Sequence, residues 1–177
     1  MVAVVDQAVA EELQVAGNWM YKVGLGHYHG AYLRRKYFPD EFLAQLTERI
    51  HTSESKHAGE LVVAIEVHNH NPELDNCARA HEVFGRLRVW DTPHDTGVLL
   101  YIGLDRHAIE IISDRGVAVS NAQWQSICNE LGQAFSANHY QEGIEQAIIK
   151  IETLLAQACG DLPVDAENIL PNAPVIL

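Results

Sequence analysis

Leu61-Val-Val-Ala-Ile-Glu-Val67 is a nearly continuous β-branched run, and Asn71-Pro72 stops it. Such a run describes a strand covered on both faces, since a half-exposed strand would alternate apolar with polar residues. A second run, Gly97-Val-Leu-Leu-Tyr-Ile-Gly-Leu104, turns at Asp105-Arg106 into His107-Ala-Ile-Glu-Ile-Ile-Ser113. These two are joined tightly enough to be a hairpin, which sets Tyr101 across from Glu110 and Gly97 across from Asp114. Between the first run and the hairpin, Cys77, Ala80, Val83, Phe84 and Leu87 recur at helical spacing. A strand that reaches its neighbour through a helix runs parallel to it, by a right-handed crossover.

Working outward, Pro39 suits a first helical turn, and Phe42, Leu43, Leu46 and Ile50 form one face running toward a stop near Gly59. Ser120 can cap a helix whose stripe is Trp124, Ile127, Cys128, Leu131 and Phe135. A last helix uses Ile144, Ala147, Ile148, Ile151, Leu154 and Leu155. The expected fold is α/β, a three-layer α/β/α sandwich around a small mixed β-sheet. We divide the chain into an N-terminal helical and aromatic segment, 1–38, an α/β/α domain, 39–159, and a Pro-containing extended tail, 160–177. Val4, Val5, Ala8, Val9 and Leu13 are spaced as a helix, and they lead into an aromatic stretch containing Trp19, Met20, Tyr21, Tyr28, Tyr32, Tyr37 and Phe38. Two readings of that segment stand: it packs on the domain, or it docks on a partner or a second copy.

The 177 residues carry 12 Lys+Arg against 24 Asp+Glu, a formal charge of -12. Half of that excess lies in residues 116–177, where seven acids face Lys150 alone. This balance works against nucleic-acid and anionic-lipid binding and favours a cation or a basic partner. Arg34-Arg35-Lys36, set among aromatic residues, reads as a solvated or partner-facing patch. Cys77, Cys128 and Cys159 lie far apart with no CxxC, and free thiols on apolar stripes suit a reducing compartment. With no apolar run of membrane-spanning length and an acidic N-terminus, the expected location is the cytoplasm, without membrane insertion.

The topology sorts polar residues to the two ends of the sheet. At one end Asp91, Asp95 and Asp114 converge with Thr92, His94, Thr96 and Arg115, while Gly97 and Gly116 let the backbone come close. Oxygen donors from several loops are what a hard cation such as Ca²⁺ requires, and the alternative is that these residues make turns and local ion pairs. At the other end His68, His70 and His107 offer imidazoles to Zn²⁺, or else titrate at the surface. There is no GxSxG, GxGxxG, P-loop or HExxH, and no serine has an evident His–Asp partner.

Several segments taken together resemble the TPM-domain family, named after a thylakoid-lumen protein of plants and its bacterial relatives. They are Ala58-Gly-Glu-Leu-Val-Val-Ala-Ile-Glu66, Ala80-His-Glu-Val-Phe84, Arg88-Val-Trp-Asp-Thr92, Thr96-Gly-Val-Leu-Leu-Tyr101, Ile111-Ile-Ser-Asp-Arg-Gly116 and residues 135–144. The resemblance spans roughly residues 40–158 and is to the soluble, anchorless bacterial members. It implies an α/β/α sandwich, divalent cation binding, calcium above all, a phosphatase activity, and service to membrane protein complexes. On this chain the implied metal positions are Asp91, Asp95 and Asp114. Two functions follow as expectations. One is a non-enzymatic interaction or assembly module that binds a protein partner or self-associates, with calcium at the acidic edge. The other is a metal-supported phosphatase acting on phosphomonoesters, for which no nucleophile is identifiable.

Overall fold

The computed structural model describes residues 2–4, 26–54, 56–69, 73–163 and 170–177. Its sheet holds five strands: β1 (Val2–Val4), β2 (Glu60–Glu66), β3 (Gly97–Gly103), β4 (Ala108–Ser113) and β5 (Val175–Ile176). Their spatial order is β1-β4-β3-β2-β5. β2 runs parallel to β3, while β3 and β4 form the antiparallel hairpin with Tyr101 opposite Glu110. The helices are α1 (Gly26–Tyr37), α2 (Asp40–Glu54), α3 (Asn76–Arg86), α4 (Asn121–Ser136) and α5 (Tyr140–Cys159).

The continuous apolar runs are explained by two layers of cover. Alternate residues Leu61, Val63, Ile65, Leu100, Ile102 and Ile111 meet α1, α2, α4 and α5 through Leu33, Leu46, Ile50, Trp124, Leu131, Ile148 and Leu155. The opposite set, Val62, Ala64, Leu99, Tyr101 and Ile112, meets α3 through Ala80 and Val83, together with Leu170. Among the described residues one face is thus covered by four helices and the other by one, in three layers as expected. Local signals set the helix starts. Asp75 accepts the Ala78 N–H at 2.7 Å at the head of α3, and Ser120 with Gln123 forms a capping box on α4.

The N-terminal end differs from the sequence reading. Val2–Val4, including the Val4 assigned to a helix, is a strand antiparallel to β4, with Val4 opposite Glu110. The rest of that expected helix, Val5, Ala8, Val9 and Leu13, and the aromatic residues Trp19, Met20 and Tyr21, lie outside the described residues. The aromatic stretch, which periodicity left unassigned, supplies α1, whose Leu33 enters the core with the neighbouring Phe38. Gly30 makes that docking possible, because a Cβ there would sit 1.9 Å from the Val67 carbonyl oxygen. In the tail, Val175–Ile176 extends β2 in parallel. Leu170, also in the tail, is buried, and its N–H donates to Glu60 Oε2.

A buried ionic cluster fastens the crossover to the sheet. Glu66, 1% exposed, ends β2 on the α3 side and takes the Arg79 Nε proton between its two oxygens, each at 3.1 Å. Arg79 Nη2 also donates to Glu66, and the Tyr101 hydroxyl donates to Glu66 Oε2. The remaining arm of Arg79 reaches Glu82 on the helix surface at 2.7 Å. Removing one member of a buried pair strands the other charge. Arg79→Ala is therefore expected to cost about 3–5 kcal/mol in urea denaturation, whereas Glu82→Ala, whose carboxylate is half exposed, should cost under about 1 kcal/mol.

Candidate functional site

The hairpin register brings the acidic residues to one end of the sheet. The Asp114 N–H donates to Gly97 O and the Gly116 N–H to Asp95 O, each at 2.9 Å. The loop before β3 and the loop after β4 are thereby stitched together. A Cβ on Gly116 would lie 2.1 Å from His94 O, so only glycine allows this approach. Thr92 Oγ1 accepts the Thr96 N–H at 2.8 Å, and the Thr96 hydroxyl donates to Ala58 O at 2.6 Å.

Asp95 has φ of 54° and Oδ2 accepts from Arg115 Nε at 2.8 Å. That guanidinium holds the Asp95 carboxyl below the usual range. Asp114 Oδ1 accepts the Arg115 backbone N–H at 2.7 Å, and Asp91, half exposed, lies 4.0 Å from Arg88. The three carboxylates share one end of the fold, but each is turned toward a protein donor or cation. Among the described residues no set of three or more His, Cys, Asp or Glu side chains is arranged to hold a metal ion.

At the opposite end Asp105 is fully buried, and Oδ2 accepts from His68 Nδ1 at 3.1 Å and from the Asn69 N–H at 2.9 Å. His107, at φ 54°, stacks on His29 with ring centroids 5.3 Å apart. Its Nε2 is buried without a hydrogen bond, and burial pushes the imidazole down to about 4. His70, the third imidazole considered for zinc, lies outside the described residues. His68 and His107 are thus each engaged with a different neighbour.

A family model of the TPM domain matches residues 34–154, more than half of the chain. The chain belongs to the TPM domain family. Its fold is similar to the NMR structure of BA42 protein from the psychrophilic bacterium Bizionia argentinensis sp. nov. The TM-score is 0.68 at 25% identity, covering 80% of this chain and 97% of that one. No curated protein matches significantly. The matched part of this TPM domain contains β2, β3, β4 and both polar ends of the sheet, while β1, β5 and the first two turns of α1 lie outside it. No helix among the described residues is long and apolar enough to cross a membrane.

Two buried groups of the TPM domain escaped the sequence reading. His57 takes the Gly59 N–H on Nδ1, so its Nε2–H donates to Glu152 Oε2 at 3.0 Å, tying the loop after α2 to α5. Glu110 stands on β4 between Tyr101 and Val4, and its Oε2 is buried without a hydrogen bond. The signal for Glu110 was its position in the register, a carboxylate inside an otherwise apolar strand.

Burial and then the Asp75 charge raise the Glu110 carboxyl from about 4.5 to about 8. The folded state therefore holds a proton that the unfolded chain has released, and this contribution, full below about pH 4.5, is lost as pH climbs to about 8. His107 acts oppositely, its contribution being lost only as pH falls from 6.5 toward about 4. From about pH 6.5 to about pH 8 the wild type should lose about 2 kcal/mol of stability. Glu110→Gln should flatten that slope in denaturant titrations across the interval.

Proposed function

We propose that this TPM domain is a non-enzymatic interaction module that docks through the outer face of α1 onto a second copy of itself. The observation behind this reading is a stripe along α1. Tyr28 is 72% exposed and Tyr32 56%, with Ala31, Arg35 and Lys36 exposed beside them. Spacings of three and four residues put Tyr28, Tyr32 and Arg35 on one helix face. Tyrosine and arginine are among the residue types that most often anchor interfaces, tyrosine because it covers a large area with two rotatable bonds and arginine because its planar guanidinium can stack and make several hydrogen bonds at once.

Charge selects the partner. The last turn of α1 carries Arg34, Arg35 and Lys36, and its first turn no acid. Residues 116–177 carry seven acids against Lys150, so another copy presents the opposite sign. A basic face meeting a different, acidic face is a heterologous contact, which closes into a ring or propagates. Sedimentation velocity should show association that rises with protein concentration and weakens at high salt. A Tyr32→Ser/Arg35→Glu double variant should stay monomeric with an unchanged melting temperature, and a wild type monomeric at every concentration would remove the proposal.

Phosphomonoester turnover has no part in this reading, because Asp95 and Asp114 are committed to Arg115. Calcium at Asp91, Asp95 and Asp114 would compete with Arg115 for Asp95. Millimolar calcium is expected to raise the melting temperature of Arg115→Gln more than that of the wild type, since only ligand bound to the folded state stabilises it. Adding Asp114→Asn to the Arg115→Gln variant should abolish the gain.

A further inference from the structure

A cavity of about 460 Å³ opens where α1 crosses the β3–β4 turn and the α4–α5 junction. Its volume falls within the roughly 300–1,000 Å³ typical of small-ligand sites. One wall is a stack of rings: Tyr140 lies 4.1 Å from Tyr37 and 4.4 Å from Phe135, centroid to centroid. Another is the stacked His29–His107 pair, with ring planes nearly parallel at 13°. Asn138 completes the junction, accepting from the Tyr37 hydroxyl at 3.2 Å.

Three features mark this cavity. Among the described residues its lining holds one formally charged side chain, Lys36, and no carboxylate. The cavity between α4 and α5 is lined by Glu130 and Glu142. The one between α2 and α5 is lined by Glu48 and Glu152. A carboxylate-free lining is notable on a chain of net charge -12. Next, His107 occupies a left-handed backbone position, where Gly or Asn would be easier, and thereby brings its imidazole to the cavity. Finally, Nε2 of that imidazole is buried without a partner, the arrangement in which a polar group keeps its full desolvation cost until something bonds it.

We propose that this cavity binds a small planar aromatic monoanion, an arene carboxylate, with its ring packed edge-to-face against the Tyr37–Tyr140–Phe135 stack and its charge met by Lys36. Aromatic walls favour a flat ring over a branched aliphatic chain, because ring pairs gain from edge-to-face contact beyond the area they bury. Lys36 Nζ stands 4.7 Å from the Tyr37 ring centroid, so an anion reaching it is held beside the same stack whose edges the arene meets. The cavity shares Tyr32 and Lys36 with the α1 face used in self-association, whereas His107 belongs to the cavity alone.

The test is a titration of the full chain at pH 7 with benzoate and, in parallel, with uncharged benzyl alcohol, followed by amide chemical shifts. Benzoate should bind with Kd of about 1 mM, perturb Lys36, His107 and Asn138, and bind at least about tenfold more tightly than benzyl alcohol. Lys36 is exposed, so Lys36→Met should keep the wild-type melting temperature and make the two affinities equal. Phenyl phosphate bound more tightly than benzoate would overturn the choice of a carboxylate. The site itself is overturned if benzoate leaves those amides unmoved, or if Lys36→Met keeps the preference for benzoate.

Discussion

The contact on which the architecture depends is the one between Glu66, Arg79 and Tyr101. It joins the end of β2, the middle of β3 and the crossover helix α3, the three parts that must agree if β2 and β3 are to be parallel neighbours. Apolar packing alone would let α3 slide along the sheet, since Ala80 and Val83 present a small, smooth surface to Val62, Ala64 and Leu99. A guanidinium seated on a carboxylate has defined directions, so it sets the position of the helix as well as its adhesion. Once α3 is in place, the chain returns for β3 and the hairpin, and the two loops at the acidic end are carried into register.

Much of this frame was legible in the sequence because the periodicities are strong. β2, β3 and β4 are largely apolar runs, and the hairpin turn sufficed to place Tyr101 opposite Glu110 and Gly97 beside Asp114. What escaped has physical causes. Val4, Val5, Ala8, Val9 and Leu13 satisfy a helical period, yet Val2–Val4 gains more by pairing with the open edge of β4, a long-range choice no local pattern reveals. α1 is rich in tyrosine, arginine and glycine, so its two inward positions, Gly30 and Leu33, make a faint stripe. β5 is two residues long, too short to carry a period.

At the candidate site the sequence revealed proximity and concealed allegiance. Register alone puts Asp91, Asp95 and Asp114 at one end, but it cannot say that Asp95 turns through a left-handed backbone and gives its carboxylate to Arg115. Likewise His68 and His107 were correctly placed at the opposite end, while the first is claimed by Asp105 and the second by His29. Such choices depend on side-chain reach over a few ångströms, a scale finer than periodicity.

The two border strands carry a further consequence. The stretch Leu61–Ile65 is apolar, β-branched and uncharged, the composition that stacks readily into intermolecular sheets. It is shielded on one side by β3 and on the other by the segment ending in β5, which holds Ala64 and Ile65 through only two paired positions. Val2–Val4 gives β4 the same short cover on the far border. Brief outer strands present little template for another chain to extend, so the sheet ends in strips too small to recruit fibrils. Colloidal solubility of this domain thus depends on two segments that contribute few residues to its core.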